Sequence, residues 1–177
     1  GGTSVGSIER IRHVAKIIKQ ETNKGNLIIA VVSAMSKETN KLIDLAKQVG
    51  VESLVDPEYD SLISTGEDVS SSLLAIALNS VGISSRSWRG WQLPLRTDSF
   101  HSNAKIEEIE TKKILTNFKE GIKVAVVSGF QGIEQSGRIT TLGRGGSDTS
   151  AVAIAAAIDA ERCDIYTDVS GIYTTDP

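Results

Sequence analysis

Apolar residues along this chain keep two periods in turn, one near 3.6 and one continuous. Ile8, Ile11, Val14, Ala15 and Ile18 recur at three- and four-residue spacing, so residues 7 to about 20 read as an amphipathic helix, with Glu9 near its positive end. A glycine-containing stretch, 23–26, ends it. Residues 27–32 (LIIAVV) are then apolar without a break, the pattern of a strand covered on both faces. The same succession repeats downstream. Residues 38–49 form a helix with Leu42, Ile43, Leu45, Ala46 and Val49 inward, and 67–80 form another around Leu73, Leu74, Ala77 and Leu78. Residues 81–88 alternate imperfectly, as a strand would. Thr111 caps a helix carrying Ile114, Leu115 and Phe118 that Gly121 closes, and 122–127 (IKVAVV) is a second buried strand. A polar, glycine-containing hairpin fits 127–141, an alanine-rich helix 151–160 and a short strand 164–167 (DIYT). Strands alternating with helices predict an α/β fold with a mainly parallel sheet and helices on both faces.

Composition narrows the function more than it changes the fold. At 177 residues the chain can bury a sizeable core as one domain or part of a larger one. A net charge of −3 offers no general attraction for nucleic acid or an anionic membrane, so any anion site has to be local. No apolar run approaches the roughly 18–20 residues of a membrane span. Cys163 is the only cysteine, which excludes intramolecular disulfides and a cysteine-based zinc site and fits a cytoplasmic protein; beside a strand it reads as a small core residue. His13 and His101 have no metal-like neighbours in sequence and read as structural or exposed, so no metal ligands are expected. The chain opens on Gly1 and Gly2 with Met35 its only methionine, and it closes on Thr175, Asp176 and Pro177, which leads us to expect an excerpt cut at both ends.

Three loops carry candidate chemistry. Gly1-Gly2-Thr3-Ser4-Val5-Gly6 precedes the first helix, where backbone N–H groups bind anions; its alternative is a flexible helix entry. Ser33-Ala34-Met35-Ser36, continuing to Thr39, follows the first buried strand, a place where small hydroxyl residues line a ligand crevice or cap a helix. The richest is 141–148 (TLGRGGSD), with Gly143, Gly145 and Gly146 around Arg144, then Ser147 and Asp148. So much bare backbone beside a planar guanidinium suits a charged ligand lying against the main chain. Asp148 cannot serve the same anion, and it orients a cation or N–H group or acts through a metal. Glu67, in STGE (64–67), has a helix cap as its plain alternative. Residues 132–139 carry the glycine spacing of a P-loop, but Arg138 and Ile139 stand where lysine and a hydroxyl residue are required, so this is no Walker motif.

Taken together, GGTSV (1–5), STGE (64–67), SGFQG (128–132), TLGRGGSDTSA (141–151) and YTDVSGIYTTDP (166–177) resemble the aspartokinases of the amino acid kinase family, over essentially the whole chain. The resemblance implies a three-layer α/β/α sandwich, the carbamate kinase-like fold, around a mainly parallel sheet. It implies transfer of the γ-phosphoryl group of ATP, with Mg²⁺, to the side-chain carboxylate of L-aspartate, the entry to lysine, diaminopimelate, threonine and methionine synthesis. By resemblance, Gly1 and Gly2 cradle the transferring phosphate with Thr3 and Ser4, and Ser33 and Thr39 line the space between the two substrates. Glu67 holds the α-ammonium, Arg144 the α-carboxylate with Gly145, Gly146 and Ser147 beside it, and Asp148 organises catalytic cations. Thr167, Asp168, Tyr173, Thr174 and Asp176 contact the nucleotide. The chain departs from the pattern in lacking the Lys-Phe that precedes the first glycines. It is thus expected to be an incomplete catalytic domain, residues 1–177, inactive alone, without the C-terminal part of the kinase domain and the ACT-type regulatory domains that would carry homo- or hetero-oligomers. The alternatives are an amino acid kinase acting on a glutamate derivative and a catalytically dead ligand-binding module.

Overall fold

The computed structural model describes residues 2–167, apart from 52 and 54. Thirteen elements run in the order α1 (Ile8–Asn23), β1 (Ile28–Val32), α2 (Glu38–Val49), α3 (Pro57–Ile63), α4 (Thr65–Ser80), β2 (Ser85–Trp88), β3 (Leu95–Thr97), β4 (Ile106–Ile109), α5 (Lys112–Lys119), β5 (Val124–Ser128), β6 (Gln131–Ile133), β7 (Ile139–Thr141) and α6 (Gly146–Ala157), counted among the described residues. The main sheet is parallel throughout, with β5 between β1 and β2.

Alternation along β5 builds two cores. Val124 and Val126 point to one face, where they meet Ile11, Ala15 and Ile18 of α1 and Leu74, Ala75 and Leu78 of α4. Ala125 and Val127 point to the other, where Trp88, Leu93, Ile114 of α5 and Ile154 of α6 close over them. Helices on both faces of a parallel sheet make the expected three-layer α/β/α sandwich. Every residue of β5 is buried. β1 is half-buried except at Val32, because among the described residues it has a ladder neighbour on one side only.

A second, mixed sheet, in the order β4-β3-β6-β7, flanks the first. It contains the expected hairpin, Gln131↔Thr141 to Ile133↔Ile139, and adds β3 and β4, whose three and four residues are too short and too polar to announce themselves. Helix α3 is a further addition. Asp56 caps it by accepting the Glu58 N–H at 2.7 Å, and Pro57 opens it, where a missing N–H costs nothing.

Four expectations give way. The inward stripe of α2 is narrower than its sequence: Leu45 is 45% exposed and Val49 92%, since α2 packs on the short α3 through Leu42, Ile43 and Ala46 alone. Leu115 is exposed for the same reason, α5 being seated by Ile114, with Phe118 half-covered. Residues 164–167 form no strand and join neither sheet among the described residues. Cys163 is exposed on that same stretch rather than buried. No helix among the described residues is long and apolar enough to cross a membrane.

Candidate active site

The loops at the carboxyl ends of β1, β5 and β7 converge on one cavity of about 260 Å³. Its walls are Ser33 and Thr39 from the loop after β1, Glu67 from the first turn of α4, Phe130 between β5 and β6, and Gly143 to Asp148. The ligand crevice of an open parallel sheet lies at this end.

The glycine stretch is divided between a loop and a helix. α6 starts at Gly146 rather than at 151, so Ser147 and Asp148 stand in its first turn, where a negative side chain complements the helix dipole. Gly143 and Gly145, on either side of Arg144, have φ of 74° and 76°, the left-handed region that a side chain makes costly. Gly146 is needed for space instead. A Cβ there would lie 2.9 Å from Phe130 Cδ2 and 3.0 Å from Leu142 Cβ. Arg144 is exposed at the tip of this loop and lines the same cavity as Glu67.

Glu67 is no helix cap. Only 3% exposed, it reaches out of α4 to accept the Ala34 N–H through Oε1 at 2.9 Å. Its other oxygen, Oε2, is buried without a hydrogen-bond partner among the described residues. Burial pushes the carboxyl up to about 7, with Asp68 adding repulsion, against the pull of the Ala34 N–H and its own backbone N–H. Ala34 can approach because Gly66 has no side chain: a Cβ there would come within 2.8 Å of Ala34 Cβ. An orphaned buried carboxylate oxygen beside an open cavity is a ready acceptor for a cationic ligand group.

Gly2, Thr3 and Ser4 sit apart from these walls. Gly2 lies against the same loop, where a Cβ would be 2.9 Å from the Ala34 carbonyl oxygen. The Ser4 hydroxyl stands 3.5 Å from the carbonyl oxygen of Tyr166, which brings the entry to α1 beside the segment that holds Thr167. The candidate residues therefore fall into two neighbouring groups bridged by Ala34. Gly1, Asp168, Tyr173, Thr174 and Asp176 lie outside the described residues. Among the described residues no cluster of three or more His, Cys, Asp or Glu side chains could hold a metal ion.

Two residues at or near the site were given no role by the sequence reading, although Phe130 lies within SGFQG (128–132). Phe130 lines the cavity in left-handed backbone, φ 67°, held by its N–H to Ser150 Oγ (3.1 Å) and its carbonyl to the Leu142 N–H (2.8 Å). Backbone so placed in a non-glycine residue costs about 1–3 kcal/mol and collects at functional sites. The other is Asp60 of α3, which is 0% exposed behind the glycine loop. Asp56 followed by Pro57 was the signal for its helix.

The model of the amino acid kinase family matches residues 1–177. Among curated relatives, the aspartokinase of Bacillus sp. (strain MGA3) is 55% identical over the whole chain, which spans 43% of that protein's length. Among solved structures, aspartate kinase from Synechocystis superposes with a TM-score of 0.80 at 47% identity, over all of this chain and 29% of its own. E. coli aspartokinase III, in complex with aspartate and ADP, gives 0.83 at 27% identity, over all of this chain and 50% of its own.

Proposed function

The chain belongs to the amino acid kinase family, and from that premise we propose that it is part of an aspartate kinase. The reaction moves the γ-phosphoryl group of ATP onto a side-chain carboxylate oxygen of L-aspartate, leaving ADP and 4-phospho-L-aspartate. The observation that carries the reading is one cavity lined by Glu67, with a spare buried oxygen, and by Arg144. A free amino acid has one cationic and one anionic end, and these two side chains match them. Glu67 accepts from the α-ammonium; its burial, unfavourable to the empty carboxylate, makes it the group that gains most from a cation. Arg144 holds the α-carboxylate with its planar fork. The side-chain carboxylate then points toward Ser33 and Thr39, on the side where Gly2, Thr3, Ser4 and Thr167 gather.

Phosphoryl transfer needs positioning and charge compensation, with no covalent enzyme intermediate. Mg²⁺ belongs to the nucleotide substrate in this reading and shields its phosphates. Asp148, exposed at the start of α6, orients the cations that meet the developing charge. Gly1 and Gly2 leave room for the phosphate, and Asp168, Tyr173, Thr174 and Asp176 complete the nucleotide side. The whole protein is proposed to work in the cytoplasm and to assemble through regulatory domains. A glutamate-derived acceptor with a blocked amine would leave Glu67 Oε2 without a cation, which argues against an N-acetylated substrate.

A hydroxamate assay on the full-length protein, comparing L-aspartate, L-glutamate and N-acetyl-L-glutamate with MgATP, tests the proposal. Aspartate is expected to be preferred by well over tenfold; preference for either other acid would refute it.

A further inference from the structure

We infer that Asp60 is a positioning residue of this site, setting the glycine loop that carries Arg144 without touching the substrate; the inference rests on the aspartate kinase reading. Its carboxylate is fully buried in the middle of a seven-residue helix, far in sequence from everything it binds. Oδ2 accepts the Thr141 N–H at 2.8 Å and the Ser102 N–H at 2.9 Å, and Oδ1 accepts the Thr141 hydroxyl at 2.8 Å and the Ser102 hydroxyl at 3.2 Å. His101 Nδ1 lies 3.1 Å from Oδ2, where it donates. Five donor groups from two chain segments thus meet one side chain. Only a carboxylate has acceptors enough for them and brings no hydrogen of its own.

The placement of those donors turns a structural knot into a functional one. Thr141 is the last residue of β7, and Leu142 follows it, bonded to the carbonyl of Phe130 on the cavity wall. Next comes Gly143, resting on the other segment that Asp60 holds: a Cβ there would meet Asn103 Oδ1 at 2.8 Å and the Ser102 carbonyl at 3.2 Å. Between left-handed Gly143 and left-handed Gly145, Arg144 lies in a turn outside any helix or strand. Its backbone runs from Thr141 at the end of β7 to the start of α6. Asp60 grips Thr141 and the 101–103 surface against which the loop lies. A displacement of about 1 Å in a substrate-positioning group costs up to roughly 100-fold in rate.

The test uses the full-length protein and two variants, Asp60→Asn and the milder Thr141→Val, which deletes only the hydroxyl bond at nearly constant shape. Steady-state kinetics separate the aspartate KM from the ATP KM and kcat, and trypsin cleavage after Arg144 reports the loop with no substrate present. Both variants are expected to raise the aspartate KM roughly 10–100-fold, leave the ATP KM within about twofold, and speed cleavage at Arg144 over other sites about tenfold. If Asp60→Asn does not fold, Thr141→Val decides alone. Folded variants that melt earlier, yet keep the wild-type aspartate KM and cleavage rate at Arg144, would overturn the inference. Failure of the wild type to phosphorylate aspartate would instead sink the kinase reading, and the cleavage arm would still settle whether Asp60 holds the loop.

Discussion

Glu67 places binding and stability in conflict at a single residue. Its carboxyl is raised to about 7 in the folded protein from an ordinary 4.5. A group raised on folding contributes stability that is fully present below its unfolded pKa and is lost as pH climbs through the folded one. That shift corresponds to about 3 kcal/mol lost between pH 4.5 and 8. Glu67→Gln, which cannot ionise, is expected to show no such loss at this site, so urea melts should find it the more stable protein above pH 7 and not below pH 5. The same change is expected to weaken aspartate use by roughly 30–1,000-fold, the value of a lost charge-assisted pair. In the wild type, kcat/KM for aspartate should rise with pH through about 7, because the free enzyme must ionise Glu67 to receive the ammonium. A flat profile from pH 6 to 8, or a variant no more stable at pH 8, would contradict this account.

At the level of elements, the glycines of the 141–148 loop separate by mechanism. Gly146→Ala is expected to push the Phe130 ring into the cavity and to cost about 1–3 kcal/mol of overpacking, with a higher aspartate KM. Gly145→Ala meets nothing within 4 Å and strains only the backbone, by about 1–2 kcal/mol. Melting curves should show comparable losses, while aspartate kinetics should distinguish the first from the second through cavity occupancy. The same contrast explains what could be read in advance. α1, α2, α4, β1 and β5 were legible because each carries an uninterrupted period over five or more residues. β3, β4 and α3 were not, being short and polar, with their stability supplied by neighbours rather than by pattern. Among site residues, the group around the cavity was legible because its side chains and glycines sit in dense, ordered motifs. Asp60 was hidden because its partners stand 41 and 81 residues away, a distance at which sequence spacing says nothing about contact. The left-handed backbone of Phe130 was hidden for a different reason: a bulky side chain is no signal for it.

Across the whole molecule, an acidic chain overall carries the guanidinium of Arg144 and the carboxylate of Glu67 in the lining of one cavity at the carboxyl ends of its strands. The order of the main sheet has a further consequence, for the time at which this protein can fold. β5 lies at the centre, yet it is the last of the three strands to be synthesised. Its register joins Ile28 to Val124 and Ser85 to the same Val124. Until β5 leaves the ribosome, β1 and β2 lack the one main-sheet neighbour that each has among the described residues, and the apolar faces of α1 and α4 have only half a floor. β1 ends at residue 32 and β5 at residue 128, a gap of 128 − 32 = 96 residues. At about 5–20 residues per second that gap lasts roughly 5–20 s, long enough to recruit chaperones that bind exposed apolar strands. Hydrogen exchange on stalled nascent chains should therefore find the Ile28–Val32 amides unprotected in every chain that ends before Val124, and protected together with those of β2 once Ser128 is outside.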